Sequence, residues 1–386
     1  MIENLKYLPI YWMDGMKINK NHFTDLQNFI IDSVRDSIGI HTSSINYGLL
    51  PVNDSLKIKL IIDQHKTLKV IIEECQAITP NGSRIDISYQ NRGEVELPFS
   101  HFKAAYEIKD DENTNLMVCL SVSLFNRVPF GESDPDENPP RYPYTRSGYV
   151  LQLIAENEFN NTLGMGAGCL TLAKILINDG EATIDKNYIP PCVNVNSHKK
   201  LINLHNEIDR FYRQIELYAS QIRQKIRVKK QNNLLSLMVD DIANQMISYL
   251  GTEISHFRLL GLYASPIHMF SSVITLARVF KNCLDVYTGS GKEELVNYLM
   301  EWYNISQGDF ELIFSEVLNV NYNHNQIDQI TSEVDRFIRT VEEVFSILNQ
   351  LDYIGKKRDG SVFVCEIPND KETIAHPKRS QSFLAD

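Results

Sequence analysis

The stretch "IPPCVNVNSHKKLINLHNEIDRFYRQIELYASQI" (189–222) divides the chain into two kinds of sequence. From Leu201 onward its apolar residues step by three and four: Leu201, Leu204, Ile208, Phe211, Ile215, Tyr218 and Ile222. That is the spacing of a heptad seam, narrower than the stripe of a single helix lying on a globular core. The same stepping returns in Ile327, Ile330, Val334, Phe337, Val341, Val344, Leu348 and Leu351. Between the two long helices, "ASPIHMF" (264–270) reads as a helix start, with Ser265 placed to cap and Pro266 at the first helical position. Two readings of these stripes stay open, a bundle core inside one chain or a seam between subunits. Leu204, Ile208, Phe211, Ile215, Tyr218 and Ile222 are the candidate seam residues.

Before residue 189 the period is that of strands. "LKIKLII" (56–62) and "TLKVIIEEC" (67–75) are rich in Ile and Val and bounded by turn formers. In "LMVCLSVSLF" (116–125) the residues Leu116, Val118, Leu120, Val122 and Leu124 alternate, as in an antiparallel strand with one face on a core. "GYVLQLIAE" (148–156) and "CLTLAKILI" (169–177) continue the pattern, and "GESDPDENPPRYPY" (131–144) reads as an exposed loop. One helix interrupts: from residue 22 to 38, Phe23, Leu26, Phe29, Ile30, Val34 and Ile38 have helical spacing, with Asn21 placed to cap. The expected fold class is therefore multidomain α+β. A β-sandwich-like domain over 1–195 precedes an elongated α-helical bundle over 196–355, with extra helices near 290–320. A short strand-like stub, "SVFVCEIP", and a loosely ordered tail occupy 356–386.

Composition excludes much. The chain has 386 residues, 43% hydrophobic and 23% charged, which fits a globular protein. A net charge of −11 argues against nucleic acid as the main partner, because that binding relies on clustered Lys and Arg. No secretory leader opens the sequence, and no apolar run reaches the roughly 18 residues of a membrane span. The six cysteines are scattered without a paired pattern, as expected of reduced thiols in a cytosolic protein.

Motifs that suggest chemistry fail on inspection. "GMGAGC" (164–169) puts Cys169 where a dinucleotide loop needs its third glycine, and a strand follows instead of a helix. "TGSGKEE" (288–294) has Glu293 where a phosphate-binding loop needs Ser or Thr, so the glycines read as a helix break with Ser290 capping the next helix. "DPDENP" (134–139) lacks the later glycine and twelfth-position Glu of a calcium loop. The histidines form no HExxH, and no GxSxG occurs. "KIRVKK" (225–230) reads as cations opposing the negative end of their own helix. No catalytic residue, metal, cofactor or small-molecule substrate is expected.

"YWMDGMKINKNHF" (11–23) gathers Trp12, Asp14, Gly15, Met16, His22 and Phe23. Physically it reads as an aromatic anchor, a glycine turn and a helix start. It also resembles the N-terminal signature of the TssK family, the baseplate subunits of bacterial type VI secretion systems, with Lys20-Asn21 replacing the family's Pro-Gln. Further segments resemble that family in order: "YGLLP" (47–51), "CQAITPNGSRIDI" (75–87), "LAKILINDGEATIDKNYIPPCVNVNSHKKL" (172–201), "SPIHMFSSVITLARVF" (265–280) and "YNHNQI" (322–327). The resemblance implies a non-enzymatic trimeric adaptor. Its shell domain would grip the wedge proteins TssF and TssG through residues 12–23, or use those residues as a shell anchor. Ile189, Pro190 and Pro191 would form the shell–neck junction, and the heptad helices would form the neck. Cytoplasmic assembly at the inner membrane is implied, with contact to a membrane complex or adaptor. The insertion near 281–320 and the short sequence after residue 340 depart from the family, whose C-terminal head domain has no counterpart here. The alternative is a phage-tail-like receptor-binding or adaptor protein of another contractile machine.

Overall fold

The computed structural model describes residues 3–88, 103–107, 113–161, 167–287, 290–303 and 306–355. The stub and tail over 356–386, the first part of "GMGAGC" and Gly289 lie outside these residues.

Two antiparallel sheets form the first half. In the first, β3 (Thr67–Ile78) is the hub. It pairs with β2 (Leu56–Ile62) and β1 (Gly48–Leu49), and also with β5 (Lys103–Glu107) and β4 (Arg84–Ile87). The turn between β3 and β4 uses Gly82 at φ +86°, a conformation open to glycine without steric cost. The second sheet has the order β7 (Tyr144–Ala155), β6 (Thr114–Phe130), β8 (Cys169–Asn178), β9 (Glu181–Ile184), with a short α2 (Glu156–Asn161) after β7. Alternation along β6 holds, but the expectation of one buried face does not. Leu116, Val118 and Leu120 enter the main core, while Met117 and Cys119 are buried on the opposite side with Tyr188. The segment carrying Tyr188 covers the face that would otherwise meet water.

The second half is helical: α3 (Lys199–Val228), α4 (Leu234–Leu260), α5 (Pro266–Val286), α6 (Ser290–Tyr303), α7 (Gln307–Leu318) and α8 (Ile327–Gln350). The heptad positions of α3 decide between the two readings left open by the sequence. Leu204, Ile208, Phe211, Ile215 and Ile222 are buried within the single chain, and Tyr218 packs half-buried against the same core. Helices α4 and α8 cover this stripe. An inter-subunit seam on these six residues is thus corrected to an intramolecular bundle core. The stripe of α8 is buried in the same way. Helices α6 and α7 belong to that core, since Phe310 and Phe314 of α7 pack with Phe280 and Phe337, the Phe314–Phe337 centroids lying 5.3 Å apart. One continuous apolar cluster runs from the sheets into the helices.

Two local expectations change. Ser265 occupies the N-cap position of α5, but its hydroxyl donates to the Ile45 carbonyl instead of capping. In "KIRVKK", Lys225 donates to the carbonyls of Asn349 and Leu351 at 2.5 and 2.6 Å, and Lys229 to that of Asp352. These cations serve the carbonyl end of α8, where four acceptors are left without helical partners.

Candidate protein-docking site

Helix α1 (Lys20–His41) spans the expected region but is rotated the opposite way. Its buried residues are Asn28, Asp32, Arg35 and Gly39, while Phe23, Ile30 and Val34 are exposed. The cause is the set of polar contacts beneath it. Asp32 accepts from the backbone N–H groups of Lys6 and Tyr7, and Arg35 Nε donates to Asp32 at 2.8 Å. Arg35 also reaches the carbonyls of Glu3 and Asn4, and Arg127 of β6 donates to Asn28. At Gly39 the helix crosses the β3–β4 turn so closely that a Cβ would meet the Asn81 carbonyl oxygen at 2.9 Å. Each contact needs a polar or absent side chain, so the apolar stripe is left facing outward. Apolar periodicity locates a stripe but does not say what it faces.

The N-terminal arm is held at Glu3–Tyr7 and then becomes exposed. Tyr7 packs on Phe125 with centroids 4.6 Å apart, whereas Leu8 and Tyr11 are 76% and 80% exposed. Trp12, Met13 and Ile18 are also exposed. Gly15 has φ +79°, and a Cβ at this position would meet nothing within 4 Å, so the glycine is needed for backbone conformation alone. Met16 N–H closes the turn on the Met13 carbonyl at 3.2 Å. Asn19 caps α1 in place of Asn21: its side chain accepts from Asn21 and His22 N–H, and His22 Nδ1 accepts from Asn19 N–H at 3.2 Å. With His22 used in this capping box, it makes no hydrogen bond to the exposed Asp14, and the two do not form an acid–base pair. Trp12 meets His22 edge-on, centroids 6.0 Å apart, and ties the arm to the start of the helix. Phe23 follows on the exposed face.

The predicted junction residues are brought together. Ile189, Pro190 and Pro191 are buried, and Leu49 N–H donates to the Pro191 carbonyl at 2.8 Å, with Val193 N–H returning to Leu49 at 3.0 Å. Gly48, at φ +110°, lets this crossing form, because a Cβ there would lie 2.0 Å from the Pro191 oxygen. Val195 N–H then reaches Ala264 ahead of α5 at 3.0 Å. The sequence marks "YNHNQI" as a segment but not as the hub it forms. Asn325 Oδ1 accepts from Tyr47 at 3.1 Å and Thr171 at 3.2 Å, and its carbonyl accepts from Tyr188 at 3.1 Å. His324 Nε2 donates to the Tyr47 carbonyl at 2.9 Å while Nδ1 accepts from Tyr322 at 2.6 Å, a tautomer fixed by these partners. The signal for it is a run of amide and imidazole groups directly before a heptad helix.

Burial pushes His324 and His198 down to about 4, so both are neutral in the fold. Their unfolded forms take up protons near 6.5, so their contribution is intact above that pH and is lost as pH falls toward 4. Thermal melting is accordingly expected to drop between pH 7 and pH 4. His324→Gln should flatten part of that drop when the two proteins are melted side by side.

Among the described residues no group of three or more His, Cys, Asp or Glu is placed to hold a metal, and no helix is long and apolar enough to cross a membrane. The five described cysteines are free thiols. A cavity of about 580 Å³ is an open depression at the 137–145 loop lined by Pro129, Pro139, Pro140, Tyr142 and Tyr144.

Residues 135–277 match the sequence model of the family described as "Bacterial Type VI secretion, VC_A0110, EvfL, ImpJ, VasE". A crystal structure of TssK shares the fold at TM-score 0.50 and 15% identity, the match covering 89% of this chain and 70% of that one. A chain of the type VI secretion TssK–TssF–TssG baseplate subcomplex seen by cryo-electron microscopy gives 0.47 at 13% identity, covering 86% and 100%. A chain of the type VI secretion baseplate complex gives 0.49 at 12% identity, covering 88% and 99%. No curated protein sequence matches the chain. The matched segment runs from the loop before β7, through the Ile189–Pro191 crossing, to the middle of α5. The chain is thus similar to the type VI secretion VasE family over residues 135–277 and to TssK in fold.

Proposed function

We propose that the protein is a structural, non-enzymatic subunit of a type VI secretion baseplate, acting as a homotrimeric adaptor. The family match across the junction carries this reading. In it, residues 1–195 form a sandwich-like shell domain and residues 196–355 a helical neck. The wedge proteins TssF and TssG, the partners that the family implies, meet the shell, and assembly takes place in the cytoplasm at the inner membrane. Residues 8–23 are the wedge-docking element. Leu8, Tyr11, Trp12 and Met13 expose large apolar surface on an arm whose base is pinned by Asp32, and such surface is characteristic of interaction sites. The mechanism is positional: an arm fixed at both ends presents its aromatic residues with little entropy left to lose on binding.

Trp12→Ala tests the assignment, because Trp12 is 45% exposed and lies outside the core. The variant is expected to keep its melting temperature within a few degrees and to lose at least tenfold in affinity for co-expressed TssF–TssG, as expected of an aromatic hot spot. Lost folding would instead make Trp12 a shell anchor.

A further inference from the structure

Cys119 of β6 and Cys169 at the start of β8 lie far apart in sequence and meet in the second sheet. Across the ladder Cys119 faces Thr171 and Ser121 faces Cys169, so the two cysteines are diagonal neighbours on one face. Val122 N–H donates to the Gly168 carbonyl at 3.0 Å, which makes the adjacent Ser121–Cys169 pair a non-hydrogen-bonded one, the kind whose side chains stand closer. This is the face covered by Tyr188, where Met117 and Cys119 are buried and Ile154, Phe159 and Cys169 pack against them. Cys119 has no exposed surface, whereas Cys169 is half-buried. The Cys119 thiol has one proton and two acceptors in reach, the Met117 carbonyl at 3.9 Å and the Cys169 sulfur. The Cys169 sulfur receives the Cys119 thiol, the Ser121 hydroxyl and the Leu170 N–H. Three donors around one sulfur stabilise a thiolate; a cysteine that only fills space needs none of them.

We propose that Cys169 and Cys119 are a redox pair, in which Cys169 reacts with a peroxide and Cys119 then closes a disulfide between β8 and β6. The Cys169 thiolate attacks one peroxide oxygen; the O–O bond breaks, a sulfenic acid forms, and the leaving hydroxide takes up a proton to become water. The Cys119 sulfur then attacks the Cys169 sulfur; the S–S bond forms, the S–O bond breaks, and the hydroxyl leaves with the Cys119 proton as a second water. The two thiols are oxidised by two electrons and the peroxide is reduced by two. The surroundings divide these roles. The hydrogen bond from Cys119, helped by Ser121 and Leu170, holds the Cys169 thiol below its ordinary value against the effect of burial. Donating that bond, together with burial, pushes the Cys119 thiol up. The sulfur that ionises is therefore the one an oxidant can reach. Movement to close the bridge falls on Cys169, the first residue of β8, because Cys119 is held between β7 and β8. Burial pushes the thiols of Cys75, Cys192 and Cys283 up and leaves them inert by comparison. In a reducing compartment such a bridge is transient, as a sensing disulfide is. The inference does not depend on the docking role given to the arm.

Hydrogen peroxide in slight excess, added to the full chain at neutral pH, tests the pair by peptide mapping. Trypsin separates the two cysteines into peptides 110–127 and 147–174, each with a single thiol. The expected product is these two peptides joined, two hydrogens lighter than their sum. The protein should stay one chain on a non-reducing gel and return to free thiols with dithiothreitol. Cys119→Ala, which removes the resolving thiol, should give no bridge and leave on Cys169 a sulfenic acid that dimedone labels. Before oxidation, Cys169 should react with iodoacetamide about tenfold faster than Cys75, Cys192 or Cys283. Wild-type protein that keeps both thiols, oxidises Cys169 without bridging, or joins Cys169 to another copy overturns the pair. So does a Cys169 that alkylates no faster than the buried thiols. The wild-type results decide the matter whether or not the Cys119→Ala protein folds.

Discussion

Ile215→Asp is expected to unfold the helical region, not merely to dissociate subunits. Ile215 has no exposed surface and sits in the part of α3 covered by α4 and α8. Ionised, the new carboxylate would be buried without a partner; protonated, it would still lose the packing of a whole isoleucine side chain. Either route costs about 4 kcal/mol or more, against a typical domain stability of about 5–15 kcal/mol. Because one apolar cluster runs from sheets to helices, the loss should spread across the Gly48–Pro191 crossing. Far-ultraviolet circular dichroism should show lost helix and a broad or missing melt. Leu217→Asp, two residues away and 49% exposed, should change stability by no more than about 0.5 kcal/mol. A folded, monomeric Ile215→Asp protein would return the α3 stripe to an interface.

The second large effect is expected at Asp32. Removing its carboxylate with Asp32→Ala leaves Arg35 buried with only the Glu3 and Asn4 carbonyls, and leaves Lys6 and Tyr7 N–H without their acceptor. Breaking a buried ion pair from one side costs about 3–5 kcal/mol, whereas replacing both partners with apolar residues costs much less. Asp32→Ala should therefore lower the melting temperature and expose the arm to proteolysis at Lys6 and Lys17. The double variant with Arg35→Met should recover much of the melting temperature but not the arm's protection. Acid should act in the same direction. Burial alone would raise the Asp32 carboxyl, but the Lys6 N–H, the Arg35 side chain and the Tyr7 N–H outweigh it and hold the group below the usual carboxylate range. Its stabilisation is fully present above the ordinary value of 3.8 and is lost as pH falls through the depressed one.

The two halves of the fold are legible in the sequence because their signals are periodic and local. Leu201 to Ile222 and Ile327 to Leu351 announce long helices, and the strand runs announce sheets. Burial is harder to read. The α3 stripe could face its own chain or another, since coiled-coil spacing is the same in both cases. For α1 the apolar residues point outward because Asp32, Arg35 and Asn28 bind Lys6, Tyr7 and Arg127, partners far away in sequence. Asn21 looks like the cap because it precedes the apolar run by two residues, yet Asn19 caps, with His22 supplying the return bond. Lys225 and Lys229 look like termini of their own helix until α8 is seen to end beside them. In the candidate site, Trp12, Gly15 and His22 are identifiable as a unit from sequence. The Asp32 clasp and the Asn325 hub are not, because each joins segments that only folding brings together.

Amide hydrogen exchange of the protein with and without TssF–TssG tests the central claim most directly, since it reports which surface the wedge covers. Protection is expected over residues 8–19 of the arm on adding the wedge, with exchange in the buried helices α3 and α8 unchanged. Formation of the complex with residues 8–19 exchanging as fast as in the free protein would contradict the assignment of the arm as the docking element. Absence of any complex would contradict the baseplate adaptor itself.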